Sequence, residues 1–164
     1  MGIPQGDLKL LDSELAKTLL NSKIPARLAY IAKDGTPRVV PTWFHWNGSE
    51  IVMATFIGGP DVRHEPARPG ALRANPNVAI TIDTEGFPPH VLLIRGQASV
   101  TDVDGVPPEF KEAARRYLGE EGAKNFAELR QPGVRMARIA VRPTWVGTID
   151  FQTRLPSHVG GVAA

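Results

Sequence analysis

Two dipeptides, Asp34-Gly35 and Asn47-Gly48, each stand between runs of β-prone residues. A tight hairpin needs left-handed backbone at its centre, and Asp-Gly and Asn-Gly reach that conformation at least cost. The flanking runs, residues 27–33, 36–46 and 50–56, are therefore expected to form a three-stranded antiparallel meander. Further punctuation follows the same style, with 16 glycines and 15 prolines among 164 residues. That frequency suits short strands and turns better than a helical bundle.

Downstream, residues 57–67 read as a loop, and Pro69 fits the first turn of a short helix ending near Asn75-Pro76. Residues 78–83 and 90–103 read as strands on either side of Pro88-Pro89; Leu92, Ile94, Gly96, Ala98 and Val100 share one face, and Gly96 marks a bend. From Pro108 the period becomes helical, with Phe110, Ala113, Ala114, Tyr117 and Leu118 on one face and Gly119 as the C-cap. A second short helix is expected over residues 121–129, then strands over 136–141 and 144–151 separated by Arg142-Pro143. Near the N-terminus, residues 2–11 read as an arm that orders on docking, and Asp12-Ser13 caps a short helix through Asn21. The small, glycine-rich residues 157–164 read as a flexible tail. The whole is expected to be a single, mainly β domain over residues 1–164: an antiparallel barrel of six to seven strands with peripheral helices.

Several chemistries drop out. Without cysteine there is no disulfide framework, thiolate metal site or cysteine nucleophile. The nucleotide-binding, zinc-protease and serine-hydrolase motifs are missing, and His45, His64, His90 and His158 lack metal-ligand spacing, so no metal is expected. Asn47-Gly48-Ser49 matches a glycosylation sequon, but the hairpin turn accounts for it. A formal charge of +2 is too small to imply nucleic-acid binding. No apolar run approaches the roughly 18 residues of a membrane span, and no signal region leads the chain, so a cytoplasmic location without membrane attachment is expected.

What remains is an ordered set: Arg38-Val39-Val40-Pro41-Thr42-Trp43-Phe44, then Met53-Ala54-Thr55-Phe56, then a loop, Arg68, Ala71-Leu72-Arg73-Ala74-Asn75-Pro76, and a late Arg95-Gly96-Gln97 strand. Over residues 15–154 this order resembles the FMN-binding split-barrel family, the pyridoxamine 5′-phosphate oxidase-like proteins and their deazaflavin-dependent relatives. The resemblance implies a flavin oxidoreductase acting on a small organic substrate, with FMN bound at a homodimer interface. It leaves open the deazaflavin coenzyme F420 as the alternative, and a non-catalytic flavin- or haem-binding dimer as a different class.

The resemblance also implies a site. Thr55, Arg68 and the adjoining helix start would supply the hydroxyl, cation and N–H donors that a phosphate ester needs, with Arg38 a second cation. Val39, Val40, Pro41 and Thr42 would offer backbone groups to the ring edge, with Ala54 on the neighbouring strand; Pro41, lacking an N–H, belongs on an edge strand. Trp145 and Arg154 match positions that approach the partner's flavin. Taken singly, Thr55 is a β-prone residue leaving a strand and Arg68 a solvated helix-start charge; their order along the chain makes them a site. Trp43, Phe44 and Trp46 read as packing residues rather than ring stackers. The chain departs from the family in Pro60, Pro66 and Pro69, which stiffen the phosphate loop, and in Arg68, which replaces a lysine and offers a bidentate donor pair. No catalytic side chain is assigned, because flavin chemistry requires no protein nucleophile.

Overall fold

Both turn dipeptides make hairpins. In the computed structural model, which describes residues 2–126, 131–151 and 158, Gly35 takes φ +79° and Gly48 φ +98°. The Ala32 N–H donates to the Thr36 carbonyl and the Gly35 N–H to the Ala32 carbonyl, each at 2.9 Å. The Asn47 side chain accepts from the Ser49 N–H at 3.0 Å and the Glu50 N–H at 2.8 Å, so the sequon residue is a turn residue.

The strands are β1 (Ala26–Ile31), β2 (Pro37–Thr42), β3 (His45–Trp46), β4 (Ile51–Gly58), β5 (Asn77–Asp83), β6 (His90–Asp104) and β7 (Arg135–Asp150). They form one sheet in the order β2-β1-β5-β6-β7-β4-β3, with every neighbouring pair antiparallel. This corrects the expected meander. The run 36–46 is one path broken at Trp43-Phe44: its first half pairs with β1, its second with β4, and β2 never pairs with β4.

The break dictates the shape. β2 and β3 lie at opposite ends of the sheet order, yet only Trp43 and Phe44 separate them. Chain geometry lets so short a link span no more than about 11 Å. The sheet must therefore curl until its ends meet, giving a barrel that closes through one bent strand and stays open beside the bend.

The second correction concerns residues 135–150, which are one strand rather than two. Pro143 is absorbed by a register shift opposite Arg95 and Gly96, where Thr144 is the extra residue. Gly96 is required here, since a Cβ at that position would lie 2.3 Å from the Arg142 carbonyl oxygen.

Alternation places Leu28, Ile80, Ile94, Ile139 and Met53 inside the barrel, all at 1% exposure or less. Burying each such side chain contributes roughly 1.5–3 kcal/mol. Helix α1 (Glu14–Leu20), capped by Ser13, adds Ala16, Leu19 and Leu20 to that core, and α2 (Ala67–Ala74) adds Leu72. Helix α3 (Pro108–Asn125) is interrupted at Gly119 (φ +78°, ψ 169°), where the sequence predicts a cap. It covers a smaller cluster on the outer side of β4 and β7 formed by Ala54, Phe56, Phe110, Val134 and Met136. The N-terminal arm docks on β7: the Gly6 N–H donates to the Val146 carbonyl at 2.7 Å and the Thr148 N–H to the Gln5 side chain at 2.9 Å. No described helix is long and apolar enough to cross a membrane. The end of the expected 121–129 helix and most of the expected tail lie outside the described residues.

Candidate functional site

The broken strand leaves two unpaired edges facing one another. β2 pairs with β1 along its whole length, and among the described residues no strand lies on its other side. β4 pairs with β3 only at Ile51 and Val52, so from Met53 onward one of its edges is also without a strand. Val39, Val40, Pro41 and Thr42 form one lip of this seam, and Ala54 and Thr55 the other. The sequence-predicted ring-edge residues thus come from two strands, β2 and β4, that the two-residue β3 separates in the chain and a gap separates in the sheet. Exposed Pro41 sits on an edge strand, where its missing N–H breaks no ladder.

Strand direction fixes which end of the seam is which. Four antiparallel steps separate β1 from β4, so both run toward the end of the barrel that carries the Asp34-Gly35 turn and the start of α2. Here a cleft of about 280 Å³ is lined by Tyr30, Lys33, Asp34, Arg38, Ala67 and Ala71, among others. Arg38 belongs to both cleft and seam. Its guanidinium lies 3.0 Å from Asp34 and also donates to Thr36. The Thr36 hydroxyl and amide, followed by Arg38, hold the Asp34 carboxyl below its ordinary range.

Arg68 occupies the first turn of α2, inside the helix rather than just before it. Its Nε is buried and has no hydrogen-bond partner. Burial pushes this guanidinium below its usual value, against the opposing influence of Tyr30. A buried donor left without an acceptor costs about 1–3 kcal/mol, and an anionic ligand would supply the acceptor. Lys33 completes the cationic end: its Nζ lies so close to α2 that a Cβ on Gly70 would sit 3.2 Å away. Sequence reasoning missed Lys33 and Tyr30, although the Asp34-Gly35 turn places both at the strand end beside Arg38.

Thr55 is not at a strand end. It pairs with Ala137 within the β4–β7 ladder, and three residues of β4 follow it. By alternation it shares the inward face of Ile51 and Met53 rather than the outward face of Ala54. Trp145 lies away from the seam on the outer face of β7, under the Arg95 guanidinium at 4.3 Å and against Gly6. Arg154 lies outside the described residues. Phe44 is fully buried and Trp46 packs on the barrel core, as expected. Trp43 stacks on Tyr117 and, with Phe56, contacts Phe110, so α3 lies across the outside of the seam.

A second charged group lies at the other end of β4. Glu109 accepts from Arg138 Nε at 3.1 Å and Nη2 at 2.5 Å, while Glu50 lies 4.0 Å from the same guanidinium. Hydrogen bonding to Arg138 holds the Glu109 carboxyl below its ordinary value, and the same contact raises Arg138. The other Glu109 oxygen, Oε2, is buried and has no hydrogen-bond partner.

No protein-family model and no curated protein matches the sequence. Solved structures do. An F420 reductase is 23% identical, with a TM-score of 0.57 over 79% of this chain and 93% of that one. A conserved hypothetical protein from Mycobacterium tuberculosis is 18% identical, with a TM-score of 0.63 over 94% and 91%. A putative pyridoxamine 5′-phosphate oxidase from Listeria innocua is 17% identical, with a TM-score of 0.52 over 82% and 91%. The chain is a split barrel with the fold of the pyridoxamine 5′-phosphate oxidase-like proteins that its sequence resembles.

Proposed function

We propose that this protein is an FMN-dependent oxidoreductase that seats the flavin ring in the seam between β2 and β4. The observation that carries this reading is the combination of two unpaired strand edges with a buried, unpartnered Arg68 Nε at the end of the barrel where β4 runs out and α2 starts. Edge backbone offers alternating donors and acceptors to a heteroaromatic ring, and the cationic end suits a phosphate. In this reading Val39–Thr42 orient the ring, Ala54 and Thr55 line its other side, and Arg68, Lys33 and Arg38 hold the phosphate. When bound, flavin supplies hydride or electron exchange with a small organic substrate. The protein's part is orientation and exclusion of water.

The working unit in this proposal is a homodimer. Cross-strand pairing aligns Val39, Ala29, Ala79, Arg95 and Trp145 in one row on the outer face of the barrel. Val39 is 65% exposed, and this row, apolar except for Arg95 lying over Trp145, suits a second copy of the chain. Trp145 would then lie in the interface.

A deazaflavin is the second reading, favoured by the likeness to an F420 reductase and by three cations at one end of the seam. Titrating purified protein with FMN and with coenzyme F420 separates the two, and NADPH reduction of the complex separates an enzyme from a non-catalytic carrier. Micromolar or tighter FMN binding with turnover supports the leading reading. Failure of both coenzymes to bind removes it.

A further inference from the structure

The seam exists only because the β3–β4 ladder stops. Its last pairs are Trp46 with Ile51 and His45 with Val52. Continued in the same register, the ladder would set Phe44 opposite Met53, Trp43 opposite Ala54 and Thr42 opposite Thr55, and the seam would zip shut. Two facing strand edges with unpaired N–H and carbonyl groups have every reason to do so. Something must hold them apart.

At the first lost position the Phe44 carbonyl, which the register of the Asn47–Glu50 turn points away from β4, accepts a hydrogen bond from Arg116 of α3. The same guanidinium donates through Nε to the Ser22 carbonyl at 2.9 Å and stacks over the Phe44 and Tyr117 rings at 4.8 and 4.9 Å. The neighbouring Tyr117 hydroxyl donates to the Ile24 carbonyl at 3.1 Å, and its ring takes Trp43. One turn of α3 therefore grips the bend between β2 and β3 together with the segment leading into β1, the strand on which β2 is built.

We propose that Arg116 is the positioning residue of the flavin site: by tying the Phe44 carbonyl to the Ser22 carbonyl it draws the bend toward β1 and away from β4, stops the β3–β4 ladder and keeps the ring-binding edges apart. Arg116 touches neither ring nor phosphate in this assignment; it acts through the path of the strand. The proposal rests on the functional reading above for its consequence in binding, but not for its consequence in the ligand-free protein.

The experiment has two arms, run on the full chain with wild type, Arg116→Met and Arg116→Lys. Lysine keeps the charge but cannot span both carbonyls, and it stands in if the methionine variant fails to fold. In the ligand-free arm, hydrogen exchange is followed at the amides of Ala54 and Phe56, which alternation turns to the seam. Zipping predicts at least tenfold slower exchange there in the variants, whereas a merely structural loss would leave it unchanged or speed it. In the binding arm, FMN and riboflavin should both weaken at least tenfold and by the same factor, because the ring edge is lost and the phosphate end is not. Unchanged or faster exchange overturns the proposal, as does binding of both flavins within twofold of wild type. If wild type binds neither flavin, the functional reading fails and the exchange arm alone decides the role of Arg116.

Discussion

Trp43 and Tyr117 stack with ring centroids 5.0 Å apart and planes 7° from parallel, joining the bend between β2 and β3 to the middle of α3. Both rings are half-buried, and Phe110 lies 6.3 Å from Trp43 on the same side. Trp43→Ala should cost about 2–4 kcal/mol, below or within the range for fully buried aromatics. A double-mutant cycle with Tyr117→Ala should give a coupling of about 0.5–1.5 kcal/mol in urea unfolding. Additive losses would show that the stack contributes only buried area.

Gly96→Ala puts a methyl group 2.3 Å from the Arg142 carbonyl oxygen. Backbone must move in both central strands, and a loss of about 1–3 kcal/mol is expected by chemical denaturation. Gly86→Ala, which meets nothing within 4 Å, is the control and should stay within about 0.5 kcal/mol of wild type.

Much of this architecture was legible. Residues that act through local backbone preference gave themselves away: Gly35, Gly48, Gly96, Gly119 and Ser13 all sit where turn, bulge or cap chemistry requires them. The partner of each strand was not legible. Residues 36–46 are uniformly β-prone, and nothing local says that Thr42 pairs with Ala26 while His45 pairs with Val52. Side chains of α3 enforce that change, roughly seventy residues later in sequence. The same reason hid Arg116, which reads as an exposed helical charge until the fold brings two carbonyls to it. Arg38 and Arg68 were legible through their place in an ordered motif, whereas Lys33 became part of the site only through the hairpin.

Glu109 ties the start of α3 to β7 through Arg138. Its folded pKa lies below the ordinary 4.5, so it contributes stability above that value and loses it as pH falls through the depressed folded pKa. Glu109→Gln should therefore be less stable than wild type at pH 7, with the gap closing below about pH 4.5. A gap constant from pH 7 to pH 3 would contradict this assignment.

Arg68→Met removes a buried donor that has no partner. In the ligand-free protein it should leave the thermal midpoint unchanged or raise it. FMN binding should weaken about 10- to 150-fold, the loss of one charged hydrogen bond of 1.5–3 kcal/mol, while riboflavin affinity stays the same. Equal loss for both flavins would move the phosphate site elsewhere.

A crystal structure of the protein grown with FMN tests the central claim most directly. The expected density is a planar tricycle wedged where the bent strand parts from β4, its ring edge against the main chain of residues 39–42, and its phosphate against the guanidinium of Arg68. Density for the flavin anywhere else, or a seam that remains empty at saturating FMN, would contradict it.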